Sequence, residues 1–423
     1  MNAAARRHAG GRSGFRRTTV DSVLGPLWLQ RPYFAPDLKA MRAPGKRRTG
    51  RPRKNFARTP RNAECTRRGG AKCAFPFDAR MGFTDRMTKT LGWLVQRLGV
   101  ITGSFGEGKE VLGEFTPVHM SKSKFRDKVL SAGRRAEAAQ REKGRRIDLT
   151  PVYTPAQIAS SVPCPPTMYL MMDGTGAPCV RKDLRRAKDG EGQAKTREIK
   201  VGVIGLYSRY NPKTHRPVRA SASEIHVATA DDAVDFGLML RDVAVAAGYG
   251  RIGNLRVESG GDGAPWIANV VGNGFHANVD GEHPDDDEVF MNDFYHASEH
   301  LHAFILECER DAAAADKAFK EMRDLLWRKG AEKTCRELTR RYGTPKKGSG
   351  AYKQLNYLWE RRRFMRYDVF REMMLFIGTG IMEAACRTDV ARRCKQSGMH
   401  WRVFNASAMC ALVARIRTLR KAA

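Results

Sequence analysis

The spacing of apolar residues along the chain changes from one region to the next. Within 82–140, apolar residues recur at helical spacing, which predicts three short helices. Thr84 or Asp85 is the expected N-cap of the first helix, the second covers 105–115, and the third begins near Ser121. The third helix is strongly basic, which is typical of a helix-turn-helix that binds DNA. A small helical domain with a solvated basic face would show the same pattern.

From about residue 150 the pattern is that of strands. Short apolar runs bounded by turn residues predict five strands, at 168–173, 200–207, 223–228, 255–259 and 289–294. Helices are expected after the third, fourth and fifth strands, beginning after Ala230, at Pro265 and near His296. This order predicts an α/β fold of the ribonuclease H-like type, in which an antiparallel meander joins a parallel half.

The remaining helical pattern predicts an insertion into that fold. Segments 308–340 and 351–375 are helical in composition, and a last helix over 381–398 is expected to return to the sheet. The predicted organisation begins with a disordered basic arm (1–80) and a helix-turn-helix-like module (81–150). The catalytic core follows in two parts (151–306 and 377–423), with a helical insertion between them (307–376).

Charge indicates a polyanionic partner. The chain has 76 Lys and Arg against 45 Asp and Glu, a formal net charge of +31, and residues 1–80 contain 20 of the former and 4 of the latter. Nucleic acid is the expected partner. Residues 45–54, with Arg51 and Arg53 on either side of Pro52, resemble an AT-hook that binds the minor groove of DNA. The alternative interpretation is a solvated basic tail. A start of translation at Met81 is a further interpretation.

Cysteine use and hydropathy favour a cytoplasmic, nucleoid-associated protein. None of the nine cysteines forms a Cys-x-x-Cys pair, and Cys65 and Cys73 are at most half of a metal site. The most apolar stretches are too short or too interrupted to span a bilayer, and the basic N-terminus lacks the apolar segment of a secretory signal. No membrane partner is expected.

Three acids occupy the positions where this fold carries its chemistry. Asp173 ends the first predicted strand, Asp262 follows the fourth, and Glu383 lies on the late helix. Carboxylates that converge at strand ends bind Mg²⁺ or Mn²⁺ through hard oxygen ligands. Two such ions can promote in-line displacement at phosphorus. The glycines beside both aspartates allow a nucleic-acid backbone to approach closely.

The chain resembles insertion-sequence transposases of the ISKra type over roughly 84–415. The resemblance rests on five motifs in order, which begin at Asp173, Gly261, Asp293, Gly378 and Arg393. They read Asp-Gly-Thr-Gly, Gly-Asp-Gly-Ala-Pro-Trp-Ile, Asp-Phe-Tyr-His-Ala-Ser-Glu-His-Leu, Gly-Thr-Gly-Ile-Met-Glu-Ala-Ala-Cys-Arg and Arg-Cys-Lys-Gln-Ser-Gly-Met-His-Trp. The family's cysteine-rich segment before the Phe-Pro-Leu-Asp stretch is reduced here to two cysteines, which puts recognition of the element's ends in doubt.

The resemblance implies a catalytic triad of Asp173, Asp262 and Glu383 and a supporting Asp-x-x-His element of Asp293 and His296. It also implies double-stranded DNA partners, both element ends and target, and a homo-oligomer. Candidate DNA contacts, each of which could instead belong to a solvated basic face, are Arg51, Arg53, Lys124, Arg387, Arg393 and Lys395.

Other interpretations remain open. An Asp after a strand often caps a turn, and Glu383 could pair with Arg387 one helical turn on. His296-Ala-Ser-Glu-His300 matches an inverted zinc-peptidase signature, and the Asp173 motif partly matches a sugar-kinase phosphate loop. The chain could also be a non-catalytic DNA-binding protein derived from a transposase, or a nuclease that hydrolyses DNA without joining it.

Overall fold

The computed structural model describes residues 12–35, 76–142, 166–184, 195–211, 213–214, 216–220, 223–252, 255–275, 288–378 and 380–422. The chain divides into two compact units, Met1–Val129 and Leu130–Ala423. The AT-hook-like segment with Arg51 and Arg53 lies outside the described residues.

The N-terminal unit begins with an antiparallel hairpin of β1 (Arg12–Ser22) and β2 (Gly25–Ala35). A two-residue turn joins the strands, and Gly25 has φ +109°, a conformation that favours glycine. The prediction of a disordered arm over 1–80 is therefore wrong for 12–35. The turn lacks the Asn-Gly or Asp-Gly dipeptide that usually marks a hairpin in sequence, so the pattern did not indicate it.

The other described elements of this unit are helices: α1 (Pro76–Met81), α2 (Lys89–Ile101), α3 (Phe105–Phe115) and α4 (Lys122–Arg141), the last of which crosses the unit boundary. The three helices that the pattern predicts are present as α2, α3 and α4. The cap of α2 is Thr88, whose hydroxyl accepts the Leu91 N–H at 3.4 Å. Thr84 instead exchanges two backbone hydrogen bonds with Met87 in a tight turn, so neither it nor Asp85 caps the helix.

Glycines let these helices pack closely. A Cβ on Gly99 of α2 would come within 2.5 Å of the Val129 side chain, and one on Gly108 of α3 within 2.9 Å of Phe125. Both partners lie on α4, and Leu91, Phe125 and Val129 are fully buried. The module is thus closely packed, and its DNA-binding role stays a prediction.

The second unit is built on a mixed sheet. Within the described residues its strands are β3 (Thr167–Pro178), β4 (Thr196–Asn211), β5 (Arg216–Arg219), β6 (Ile225–Thr229), β7 (Arg256–Gly261) and β8 (Glu288–Asn292). They lie in the order β6-β4-β3-β7-β8, with β5 paired to the far end of β4. β4 is antiparallel to its neighbours, whereas β3, β7 and β8 are parallel to one another. β5 was not predicted from the pattern.

One face of the sheet is covered by two helices. Met168, Leu170 and Met172 alternate along β3 and bury their side chains against α5 (Ala233–Ala246) and α6 (Pro265–Gly274). Because side chains of a strand alternate between faces, the residues between them face the other side of the sheet. That other face carries Asp173.

A helical region follows β8 and contains α7 (Phe294–Cys308), α8 (Ala312–Tyr342), α9 (Gly350–Glu360) and α10 (Tyr367–Glu372). It has its own apolar core, which includes Leu301, Leu326 and Leu358. The fifth strand ends at Asn292 rather than at 294, because Asp293 caps α7 by accepting the Tyr295 N–H at 3.0 Å. The helix therefore starts two residues earlier than predicted.

The chain returns to the sheet through α11 (Gly380–Ala385), which continues as a π-helical turn (Cys386–Ala391) and a final turn (Arg392–Cys394). A last helix, α12 (Val403–Ala422), packs against β6 and was not predicted. Residues 406–414 are buried without interruption, so α12 lacks the one-sided apolar stripe that reveals a helix in sequence. No described helix is both long and apolar enough to cross a bilayer.

Candidate functional site

Three aspartates lie side by side at the carboxyl edge of the parallel strands. Extending the β3–β7 and β7–β8 registers by one or two residues puts Asp262 opposite both Asp173 and Asp293. Neighbouring strands lie about 5 Å apart, so the three residues stand at the same level on adjacent strands. We term Asp173, Asp262 and Asp293 the acid row.

Asp173 is half-buried and lies within β3, which continues to Pro178 rather than ending at 173 as predicted, because the strand stays paired to β4 after its pairing with β7 stops at Met171. Its Oδ1 accepts the Gly174 N–H at 2.6 Å and its Oδ2 accepts the Cys386 thiol at 3.3 Å. Burial raises the pKa of Asp173, and the nearby charges of Asp262 and Glu198 raise it further, against the lowering effect of the two hydrogen bonds. The influence of Asp262 on this pKa agrees with the proximity that the strand register requires.

Asp262 is held by the loop that it opens. Its Oδ1 accepts the Ala264 N–H at 2.9 Å, and Gly263 has φ +84°. The Tyr357 hydroxyl, on α9, donates to the Asp262 carbonyl at 2.7 Å, and Arg361 donates to the Gly263 carbonyl at 3.1 Å. The helical region therefore braces the backbone at the end of β7, a role that sequence reasoning did not assign to it.

A second tyrosine braces the end of β8. The buried Tyr367 hydroxyl donates to the Asn292 carbonyl at 3.1 Å, directly before Asp293. Asp293 itself caps α7, as described above. Its capping role and its position in the acid row are compatible because a carboxylate offers several acceptor sites.

Glu383 lies on the helix that runs between the two ends of the acid row. Gly378, just before α11, would bring a Cβ to 3.7 Å from Asp293 Oδ1, and Cys386, one turn after Glu383, contacts Asp173. The Glu383 side chain is exposed. Among the described residues, no three metal-ligating side chains converge on one point. The structure brings Glu383 to the site's rim, not into contact with the aspartates.

The uncompensated charge of the site is its main electrostatic property. Among the described residues, no Lys, Arg or His forms an ion pair with Asp173, Asp262 or Glu383. Asp262 instead adds to the rise in the pKa of Asp173, as like charges do. Neighbouring carboxylates without cationic partners have the chemistry of a cation site.

His296 is half-buried and its Nδ1 lies 3.2 Å from Glu299 Oε2. The His300 ring stacks on Tyr357 at 3.6 Å, with its Nδ1 2.5 Å from Gln354 Oε1. Both Nδ1 atoms are thus engaged locally, and no third metal ligand accompanies the pair in the described part of the chain. These contacts do not favour the zinc-peptidase interpretation.

The candidate DNA-binding residues have different surroundings. Lys395 is exposed and its Nζ donates to Thr175 Oγ1 at 2.5 Å, two residues beyond Asp173, and Arg387 is also exposed. Arg393 is 1% exposed, and its guanidinium lies 5.5 Å from the centre of the Trp401 ring. It packs inside the unit, where DNA cannot reach it. Lys124 is exposed on α4.

A second group of carboxylates, missed in the sequence, surrounds the π-helical turn. Asp389 is fully buried, and its Oδ1 accepts from Arg417 at 2.6 Å while its Oδ2 lies 2.9 Å from His226 Nδ1. His226 Nε2 is 3.7 Å from Glu224, which pairs with Arg219 at 2.9 Å. We term Arg219, Glu224, His226, Asp389 and Arg417 the Asp389 cluster. It fixes the helix of Glu383 to β6 and α12.

Glu258 is a further buried acid that the sequence did not reveal. Its Oε2 accepts the Tyr207 hydroxyl at 2.8 Å and the Phe376 N–H at 3.2 Å. Burial raises the pKa of Glu258 to about 7, although these hydrogen bonds and Arg256 lower it. Glu258 thereby ties the central strand β7 to the segment that leads into α11.

Comparison with known proteins gives distant structural likenesses only. No protein-family model matches the chain, and no curated protein is similar to it. Among solved structures, the chain is similar to the Drosophila P element transposase strand transfer complex, with 10% sequence identity and a TM-score of 0.33. That alignment covers 76% of this chain and 91% of the other. At these values the function has to be argued from the site itself.

Proposed function

We propose that this protein is a DNA transposase that uses divalent metal ions to cleave DNA strands and join them to a target, on a ribonuclease H-like core. The observation that carries the proposal is the acid row: three adjacent aspartates where the parallel pairing of β3, β7 and β8 ends, of which Asp173 and Asp262 form no ion pair with a described cation. The strand order, with an antiparallel β6-β4-β3 half and a parallel β3-β7-β8 half, is the order expected of that fold. The helix of Glu383 returns to this edge.

Asp173, Asp262 and Glu383 are the residues proposed to hold the metal, with Asp293 beside them. Bound Mg²⁺ or Mn²⁺, as two ions, would supply Lewis-acid stabilisation for displacement at phosphorus. The donor set fits, because carboxylate oxygens are the ligands that these hard cations prefer. Tyr357 and Tyr367 hold the ends of β7 and β8 in place.

Exposed cations beside the acids are proposed to hold the DNA. Lys395, near Thr175, and Arg387, on the helix of Glu383, are suited to phosphate contacts next to the cleavage site. Lys124 is proposed to contact DNA from α4, and His296 to support Asp293. Double-stranded element ends and target DNA are the proposed partners, and bridging two ends would require a homo-oligomer.

A second candidate function is DNA binding without catalysis. It is favoured by the absence, among the described residues, of three metal-ligating side chains around one point. The Cys386 thiol donates to Asp173 Oδ2 and so occupies an oxygen that a metal ion would need, which also favours DNA binding without catalysis. A direct test of cleavage separates the two candidates.

The test is metal-dependent nicking and joining of DNA that carries the segments flanking the coding sequence. Wild type is compared with Asp173→Ala, Asp262→Ala and Glu383→Ala, with Mg²⁺ or Mn²⁺. The matched control is Glu332→Ala, which removes a carboxylate half-exposed in a surface ion pair on α8. Cleavage by wild type and the control, lost in each other variant while DNA binding persists, supports the proposal. Binding without cleavage in either metal overturns it in favour of the second candidate.

A further inference from the structure

The outer face of the β1–β2 hairpin has no assigned role. Cross-strand pairing puts Phe15 opposite Pro32, Arg17 opposite Gln30 and Thr19 opposite Trp28. Paired residues of two antiparallel strands point to the same face, so these six side chains share one surface, which we term the ribbon face. Phe15 is 71% exposed and Trp28 is 81% exposed.

The opposite face of the hairpin is the one that packs. It carries Val20, which is 1% exposed, and Arg31, which forms an ion pair with Asp78 of α1. The hairpin is therefore anchored through this side. Large aromatic rings on the ribbon face are left in solvent, which is costly unless a partner covers them.

The charge around the hairpin indicates what that partner is. Residues 12–35 contain four Arg and one Asp. Arg17 lies on the ribbon face itself, whereas Arg16 and Arg31 lie on the opposite face of the same hairpin. A polyanion is complementary to the net positive charge of this hairpin, and the two exposed rings lie on either side of Arg17.

We propose that the ribbon face binds single-stranded DNA by stacking unpaired bases on Trp28 and Phe15, with Arg17 and Gln30 between them. Aromatic faces stack on bases that have left their duplex neighbours, whereas a duplex offers only base edges to a protein. The two rings lie four residues apart in register, about 13 Å along the strand, so each would hold a different base. The choice of DNA over RNA rests on the proposed function.

The experiment measures binding of the full chain to a labelled thymidine 20-mer by fluorescence anisotropy, in parallel with a DNA duplex and a uridine 20-mer. Trp28→Leu is expected to weaken binding to the single DNA strand about 5- to 150-fold, the range for losing one stacked base, with less than a twofold effect on the duplex. The matched control is Trp93→Leu, which removes another exposed tryptophan of the same unit and should have no effect. Arg17→Gln should lower the salt dependence of log K by about 0.7.

A loss below about threefold for Trp28→Leu overturns the proposal. So does an equal loss on the duplex or in the Trp93→Leu control, and a larger loss on RNA overturns the choice of DNA. Trp28 is exposed, so the variant should fold, which thermal unfolding checks. Glu332→Ala, the control variant of the cleavage test, should bind the single strand like wild type. Failure of cleavage therefore counts against the proposed function alone, and failure of this binding counts against the ribbon face alone.

Discussion

The helical stretch 380–394 contacts two groups of acids that differ in what surrounds them. In the Asp389 cluster, buried carboxylates are paired with two arginines and a histidine at 2.6–3.7 Å. In the acid row, Asp173 and Asp262 are adjacent and have no such partner among the described residues. Buried charges that are compensated hold a structure together, whereas carboxylates left together without cations oppose folding unless a cation binds. This difference is the reason for proposing a structural role for the first group and a metal-binding role for the second.

The sharpest test of this contrast is to neutralise the acid row. Asp262→Asn should lower nicking on the order of 10³-fold, because several kcal/mol of metal-dependent stabilisation would be lost. The free energy of unfolding without metal should stay the same or rise, because a repulsive charge is removed. Urea denaturation and nicking assays measure the two effects. Activity within tenfold of wild type would contradict the assignment of Asp262.

Neutralising the other cluster should have the opposite result. Asp389→Asn leaves Arg417 and His226 without their buried counter-charge, so the free energy of unfolding should fall by about 3–5 kcal/mol. Urea denaturation at constant pH measures this change. If Asp389→Asn unfolds like wild type while Asp262→Asn is strongly destabilised, the distinction between the two groups is wrong.

Glu258 extends the comparison to a buried acid compensated by hydrogen bonds. Its pKa of about 7 lies above the ordinary 4.5, so its contribution to stability is complete below pH 4.5 and is lost as the pH rises through 7. Wild type should lose up to about 3 kcal/mol of unfolding free energy across that window relative to Glu258→Gln. Parallel urea titrations from pH 4.5 to 8 measure the difference, and parallel pH profiles for the two proteins would refute the assignment.

The smallest expected effect concerns the brace on the acid row. Tyr357→Phe removes the hydroxyl that donates to the Asp262 carbonyl, a hydrogen bond of about 1 kcal/mol. Nicking should fall about fivefold, with a higher Mn²⁺ concentration at half-maximal rate. Tyr352→Phe, on the same helix, is the control, since no hydrogen bond of its hydroxyl bears on the acid row. Equal rates for both variants would mean that the brace does not position Asp262.

Much of the local structure follows from sequence pattern, but the second group of acids does not. Alternation along β3 and the positions of Asp173 and Asp262 directly after short apolar runs indicated where to look for a site. Nothing in the spacing of Asp389 and His226, 163 residues apart, predicts that they lie 2.9 Å from each other. Such contacts depend on which helix packs on which strand.

By itself, the sequence determined the elements whose residues carry a strong local signal: α2 to α4, the core strands, the helical region and the positive charge. Periodicity and capping are set by neighbours within a few residues, so they can be predicted without a fold. The sequence did not predict the β1–β2 hairpin, because its turn lacks the usual residues, or α12, because that helix is buried on all sides. Only the tertiary structure decided that Asp293 stands level with Asp262 and that Arg393 is buried. It also decided that Glu383 is at the rim, because strand register and helix packing depend on residues far apart in the chain.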